Sequence, residues 1–196
     1  MLRHLIISLS LAASAPAGVV INEILYHPAS EDSREEFIEL HNTDAIAADV
    51  SGWQITSGVA CVFPPGTTIA PGGYLVVAAD PAVFATVHPG VPAMPGGWIG
   101  KLSNSSNRIR LVNATGITID DVRYADDGDW ATRTRQAVLD YGHRGWTWSS
   151  TADEAGHSIE LINPLFDNAS GQNWSASTLP GGTPAATHLH LARTVS

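Results

Sequence analysis

Lysine is almost missing from this 196-residue chain: Lys101 is the only one, and all basic residues together number 10 against 19 acidic ones. A surface so poor in clustered cations excludes binding to a phosphate backbone, which Lys and Arg drive. Cysteine is equally scarce. Cys61 stands alone, so no intramolecular disulfide can form and the fold must be held by its core. Its apolar neighbours Ala60, Val62 and Phe63 suit a small buried hydrophobe, with an intermolecular bridge or a reactive thiol as the sharper alternative. Helical periodicity is almost absent, and so is any heptad rod or basic nuclear-localisation run. No Gly-x-Ser-x-Gly elbow, His-Glu-x-x-His helix or phosphate-binding Gly-Lys loop occurs, which leaves no nucleophile-and-base signature for an enzyme.

What is present begins with an export signal over residues 1–17: a short basic start (Met1 to His4), an apolar run from Leu5 to Ala13, and the small-residue site Ala15-Pro16-Ala17. The apolar run is too short for a transmembrane anchor, which needs roughly 20 apolar residues, so no membrane span is expected after cleavage before Gly18. The expected location is outside the cytoplasm, secreted or in the cell envelope. Cleavage leaves 179 residues (196 − 17), enough for one domain with a real core, and removes Arg3, giving a formal charge of −10 (9 − 19).

From Val19 onward, short β-branched and aromatic runs alternate with turn clusters, the pattern of an all-β sandwich. Strands are expected over Val19 to Tyr26, Glu36 to Asn42, Val50 to Thr56, Cys61 to Phe63, Tyr74 to Ala79, Arg108 to Asn113, Ile117 to Tyr124 and Ser158 to Ile162. That is an immunoglobulin-like sandwich of about eight to nine strands. Alternation puts Ile38 and Leu40 on one face with Phe37, Glu39 and His41 on the other, and turns Ile109 and Leu111 inward with Arg108 and Arg110 in solvent. Tyr74 to Val77 is apolar on both faces and is expected in the middle of a sheet. The apolar period slips by one across Asp120-Asp121, where a β-bulge would absorb the extra residue. Asp80-Pro81 reads as an N-cap and first helical residue, opening one short helix through Phe84.

Five stretches, in order and spacing, carry a family resemblance: Val20-Ile21-Asn22-Glu23-Ile24, Glu36-Phe37-Ile38-Glu39-Leu40-His41-Asn42, Asp49-Val50-Ser51-Gly52-Trp53, Phe63-Pro64-Pro65-Gly66-Thr67 leading into Pro71-Gly72-Gly73-Tyr74-Leu75-Val76-Val77, and Arg108-Ile109-Arg110-Leu111 followed by Gly116 and Asp120 or Asp121. Across residues 19 to 125 the chain resembles the lamin tail domain. The resemblance implies an immunoglobulin-like sandwich without intrinsic catalysis, found at the end of nuclear lamins and as a module of exported bacterial proteins; the export signal places this chain with the latter. It continues more thinly through Gly142 to Trp146, Ser158 to Pro164, Asn173-Trp174 and Gly182-Thr183-Pro184. The expected domain spans residues 18–184, with a long insertion at 125–157 and a tail at 185–196.

Several clusters compete for a functional role. Asn22 and Glu23 are neighbours on a strand and should point to opposite faces, so at least one enters an apolar layer and must be hydrogen-bonded. A structural polar clamp of Asn22, Glu23, Glu39 and Asn42 is the favoured reading, and a binding or metal role is the alternative. Glu36 and Glu39 fall on opposite faces and cannot form the carboxylate pair of a glycosidase, whose members lie about 5 to 9 Å apart. Asp126-Asp127-Gly128-Asp129 gathers hard oxygen ligands around a glycine, a candidate calcium loop set against a solvated turn. Glu31-Asp32 and Glu35-Glu36 read as a solvated loop. His188-x-His190 would place two imidazoles on one strand face, too few for zinc, which takes four ligands. In Trp146-Thr147-Trp148 an extended chain puts both indoles on one side, and with Arg144 they mark the expected binding surface on an ordered flap. The expected function is therefore a non-catalytic interaction module whose partner is a protein or a surface polysaccharide. The alternative is a sugar-binding sandwich that stacks its ligand on Trp146 and Trp148.

Overall fold

A computed structural model of the chain describes residues 18–135, 142 and 145–188. The expected signal segment, Arg144, His143 and His190 lie outside the described residues.

Two antiparallel sheets face each other. The first is built from β1 (Val19–Leu25), β2 (Phe37–Asn42), β7 (Tyr74–Ala78), β12 (His157–Leu161) and β13 (Trp174–Pro180), in the order β13-β12-β1-β2-β7. The second contains β4 (Gln54–Ser57), β5 (Cys61–Val62), β8 (Ser106–Val112) and β9 (Thr118–Ala125), in the order β5-β4-β8-β9. Two small ribbons complete the strands: β3 (Ala48–Asp49) with β6 (Thr68–Ile69), and β10 (Thr132–Arg135) with β11 (Trp146–Ser149). The helices are α1 (Pro81–Val87) and the single turn α2 (Thr151–Glu154). Among the described residues thirteen strands thus stand where eight to nine were expected, because the ribbons and β13 are short or lack an alternating apolar run and are held by pairing with their partners.

The core between the sheets follows alternation along the strands, except in β1, where an extra residue brings Ile21 and Ile24 to the same face. Ile21, Ile24, Ile38, Leu40, Ile55, Ile109, Leu111, Val122 and Ile159 are all buried in one cluster, and Arg108 and Arg110 sit outside it, both bonded to Asp121. Tyr26 stacks on Tyr124 at its centre, with ring centroids 4.6 Å apart. Asp80 caps α1 by accepting the Ala82 and Val83 amides at 2.9 and 3.2 Å, and Phe84 closes a second cluster with Leu25, Phe37, Val76 and Ala78 on the outer face of the first sheet.

Three expectations need correction. The Tyr74–Ala78 strand is at the sheet edge and not in its middle: its apolar outer face is covered by Phe84 of α1, and its free edge by Ala93 and Met94, whose amide donates to Val76 O at 2.7 Å. The bulge in β9 exists but sits at Ile119, since Leu111 pairs with Asp120 and Val112 with Thr118. That turns Asp120 inward beside Val122 and Tyr124. Its carboxylate accepts the Ile21 amide at 2.7 Å and the Asn168 carboxamide at 2.6 Å, tying the two sheets together, and burial raises its pKa. Lastly, Glu36 is no solvated loop residue. It is buried and accepts the Leu102 amide at 2.8 Å, and desolvation pushes it up to about 7.

Candidate functional site

Two places in the fold concentrate chemistry, one buried and one exposed. The buried one starts from a second bulge. In β1 the register jumps from Ile21 opposite Leu40 to Glu23 opposite Glu39, so Asn22 is an extra residue. Asn22 and Glu23 are therefore not on opposite faces: both reach the outer face of the first sheet, where the Asn22 carboxamide donates to Glu39 Oε1 at 2.9 Å. Glu23 also pairs with Glu160 of β12. Three glutamates thus lie side by side across β12, β1 and β2, all buried. Like charges directly opposite in a sheet repel, and burial compounds the cost.

Residues 181–188 relieve it by crossing this face as a strap. The Thr183 amide and the Ser158 hydroxyl donate to Glu23 Oε1 at 2.8 and 2.6 Å, and the Thr183 hydroxyl donates to Glu160 Oε1 at 2.6 Å. The Ala185 amide donates to Glu39 Oε2. Gly182 makes the crossing possible: at φ +87° it lies so close to the Glu23 carboxylate and Ser158 that a methyl group there would overlap both. His188 ends the described strap, buried, with Nδ1 3.3 Å from Leu161 O and Nε2 3.5 Å from Glu23 Oε2.

The electrostatics follow from this crowding. Desolvation, then the neighbouring Glu23 charge, push Glu39 up to about 7 against the donated hydrogen bonds. Burial lowers the His188 pKa, but the Glu23 carboxylate 3.5 Å away and the charge of Glu160 outweigh burial and raise it overall. The structure therefore brings Asn22, Glu23 and Glu39 together and adds Glu160, Thr183 and His188. Asn42 belongs elsewhere: its carboxamide donates to Ile46 O, Ile69 O and Ala70 O, fixing the turn after β2.

The exposed place is the β10–β11 ribbon. Arg133 pairs with Trp148 and Arg135 with Trp146, and the two indoles, alternate residues on one strand, are 48% and 43% exposed. The Arg135 guanidinium lies 5.9 Å from the Trp146 ring centroid. The flanks of this segment belong to the core, since Trp130 packs on Trp174 at 5.7 Å and Ala152 is buried.

Other expected sites are placed as follows. Among the described residues, Glu23, Glu160 and His188 are the only three metal-capable side chains whose ligand atoms gather within 4.8 Å, and the carboxylates of Asp126, Asp127 and Asp129 do not converge in this way. Cys61 is half-buried and desolvation pushes its thiol up to about 11, away from the thiolate form. Of the other tryptophans, Trp53 and Trp174 are buried and Trp98 packs against the core. His157 contacts Ser177 O at 2.7 Å.

Two packed antiparallel sheets define an immunoglobulin-like sandwich, and no helix among the described residues is long and apolar enough to cross a membrane. The family model of the Lamin Tail Domain matches residues 12–126, more than half of the chain, and the chain belongs to that non-enzymatic family. Among curated proteins, none gives a significant match.

Proposed function

We propose that this is an exported, non-catalytic binding module that holds its partner on the β10–β11 ribbon. The observation that carries the reading is the pair Trp146 and Trp148, large apolar rings turned outward together on a strand that adds nothing to either main sheet. Exposed indoles, one of them with the Arg135 guanidinium beside it, have the composition of a binding hot spot. The proposed export follows from the tripartite start of the sequence, and the partner class is a surface protein or polysaccharide. The side-by-side exposure of the two rings favours the polysaccharide, because successive sugar rings can stack on such a platform.

Binding of the purified chain to cell-surface fractions, with and without enzymatic removal of their glycans, tests this. Trp146→Ala with Trp148→Ala is expected to reduce binding at least tenfold while leaving the melting temperature within a few degrees. Unchanged binding by the double variant would overturn the role of the ribbon. Loss of binding after deglycosylation identifies sugar as the ligand, and persistence identifies protein.

A further inference from the structure

We infer that Glu23, Glu160 and His188 form a buried binding site for one divalent transition-metal ion of the zinc class, which fastens the strap to the first sheet.

One carboxylate oxygen in this buried row accepts no hydrogen bond. Glu23 is fully buried, its Oε1 takes two hydrogen bonds, and its Oε2 takes none. A buried carboxylate oxygen without a donor requires an explanation. It faces His188 Nε2 at 3.5 Å. A charge-assisted hydrogen bond would close to about 2.7 to 2.9 Å. Two ligands about 2.0 to 2.2 Å from a tetrahedral ion stand roughly 3.3 to 3.6 Å apart, and the observed spacing fits that edge.

The donors are also oriented as ligands are. His188 Nδ1 lies 3.3 Å from Leu161 O, and a proton donated there leaves the Nε2 lone pair facing Glu23 Oε2 and the Asn22 carboxamide nitrogen, each at 3.5 Å. Ser158 and the Thr183 amide hold Glu23 by Oε1, and the Thr183 hydroxyl holds Glu160 by Oε1. Such outer partners fix ligand geometry in metal sites. One imidazole and two carboxylates suit zinc better than calcium, which takes six to eight oxygens. A cavity of about 60 Å³ lined by Asn22, His41 and His188 adjoins the site, with room for a water as fourth ligand.

The test uses the whole chain, stripped with a chelator and dialysed against Zn2+, with bound metal measured by elemental analysis and the fold followed by circular dichroism. One equivalent of zinc is expected, with a raised melting temperature, while Ca2+ and Mg2+ give neither. Co2+ in place of zinc should show the intense visible absorption of a four-coordinate site. His188→Gln and Glu160→Gln are expected to lose the equivalent, Thr183→Val to weaken it about 10- to 100-fold, and His27→Gln to retain it. If a variant does not fold, cobalt absorption by the unaltered chain still decides. A folded chain that takes up no zinc, or folded His188→Gln that takes up as much as the parent, overturns the site and leaves an ion pair in its place.

Discussion

Gly182 carries two burdens that a residue with a side chain cannot share. Its φ of +87° costs any other residue about 1 to 2 kcal/mol, and its closeness to Glu23 and Ser158 leaves no room for a methyl group. Gly182→Ala is therefore expected to lower stability by about 2 to 4 kcal/mol, adding displacement of a buried carboxylate to the backbone strain. Gly116 supplies the comparison, since it has a similar φ of +83° and open space around it. Chemical denaturation should show Gly116→Ala costing no more than half as much. Equal losses at the two positions would mean that contact with Glu23 is inconsequential. Asn22 and Glu23 were legible in the sequence as polar residues that must find partners. Their shared face was not, because a bulge is set by the register of the opposing strand and alternation alone assumes that none exists. Glu160 and His188 could not be assigned to the cluster either, as only the completed sheet brings them beside Glu23.

The β10–β11 ribbon is held by its own pairing and touches the sandwich mainly through its flanks, where Trp130 and Ala152 enter the core. Excision of residues 133–148 with a short Gly-Ser bridge is expected to leave a folded sandwich and to abolish partner binding; excision of 126–156 removes Trp130 and Ala152 as well and should unfold it. Loss of fold after the shorter excision would make the ribbon a core element and end its role as a platform. Ser106–Val112 was readable because Ile109 and Leu111 are buried while Arg108 and Arg110 between them reach solvent, and Phe37–Asn42 because its apolar run is buried on both faces. Trp174–Pro180 was not, since Ser175, Ala176, Ser177 and Thr178 have no apolar period and become a strand only by pairing with β12. The ribbon escaped for a related reason: its paired strands carry Thr and Arg opposite Trp and Thr, a pattern also found in loops.

Across the whole molecule, burial raises the pKa of both Glu36 and Glu39 to about 7. A carboxyl whose pKa is raised by folding contributes stability that is complete below about 4.5 and is lost as pH rises through about 7. His188, also raised, works in the same direction. His41 and His88, which burial depresses, work the opposite way: their contribution is present above 6.5 and is lost as pH falls. Urea midpoints measured with chelator between pH 5 and 8 isolate one member of this set. Glu39→Gln is expected to diminish any loss of stability toward pH 8 by about 1 to 3 kcal/mol relative to the parent. An identical pH profile for parent and variant would show that Glu39 is ionised alike in the folded and unfolded chain.

The strap over the three glutamates has a consequence for the order of events as the chain folds. Residues 181–188 follow every strand of both sheets in sequence, so β12, β1 and β2 can pair before anything is available to cover their outer face. Until then Glu160, Glu23 and Glu39 stand hydrated, able to stay ionised and repelling one another across adjacent strands. Stacking that uncovered face on the same face of a neighbouring copy would bring like charges together, which disfavours it. The same carboxylates that strain the finished fold thus keep its unfinished form apart, and closure by the strap is the step that withdraws this protection once it is no longer needed.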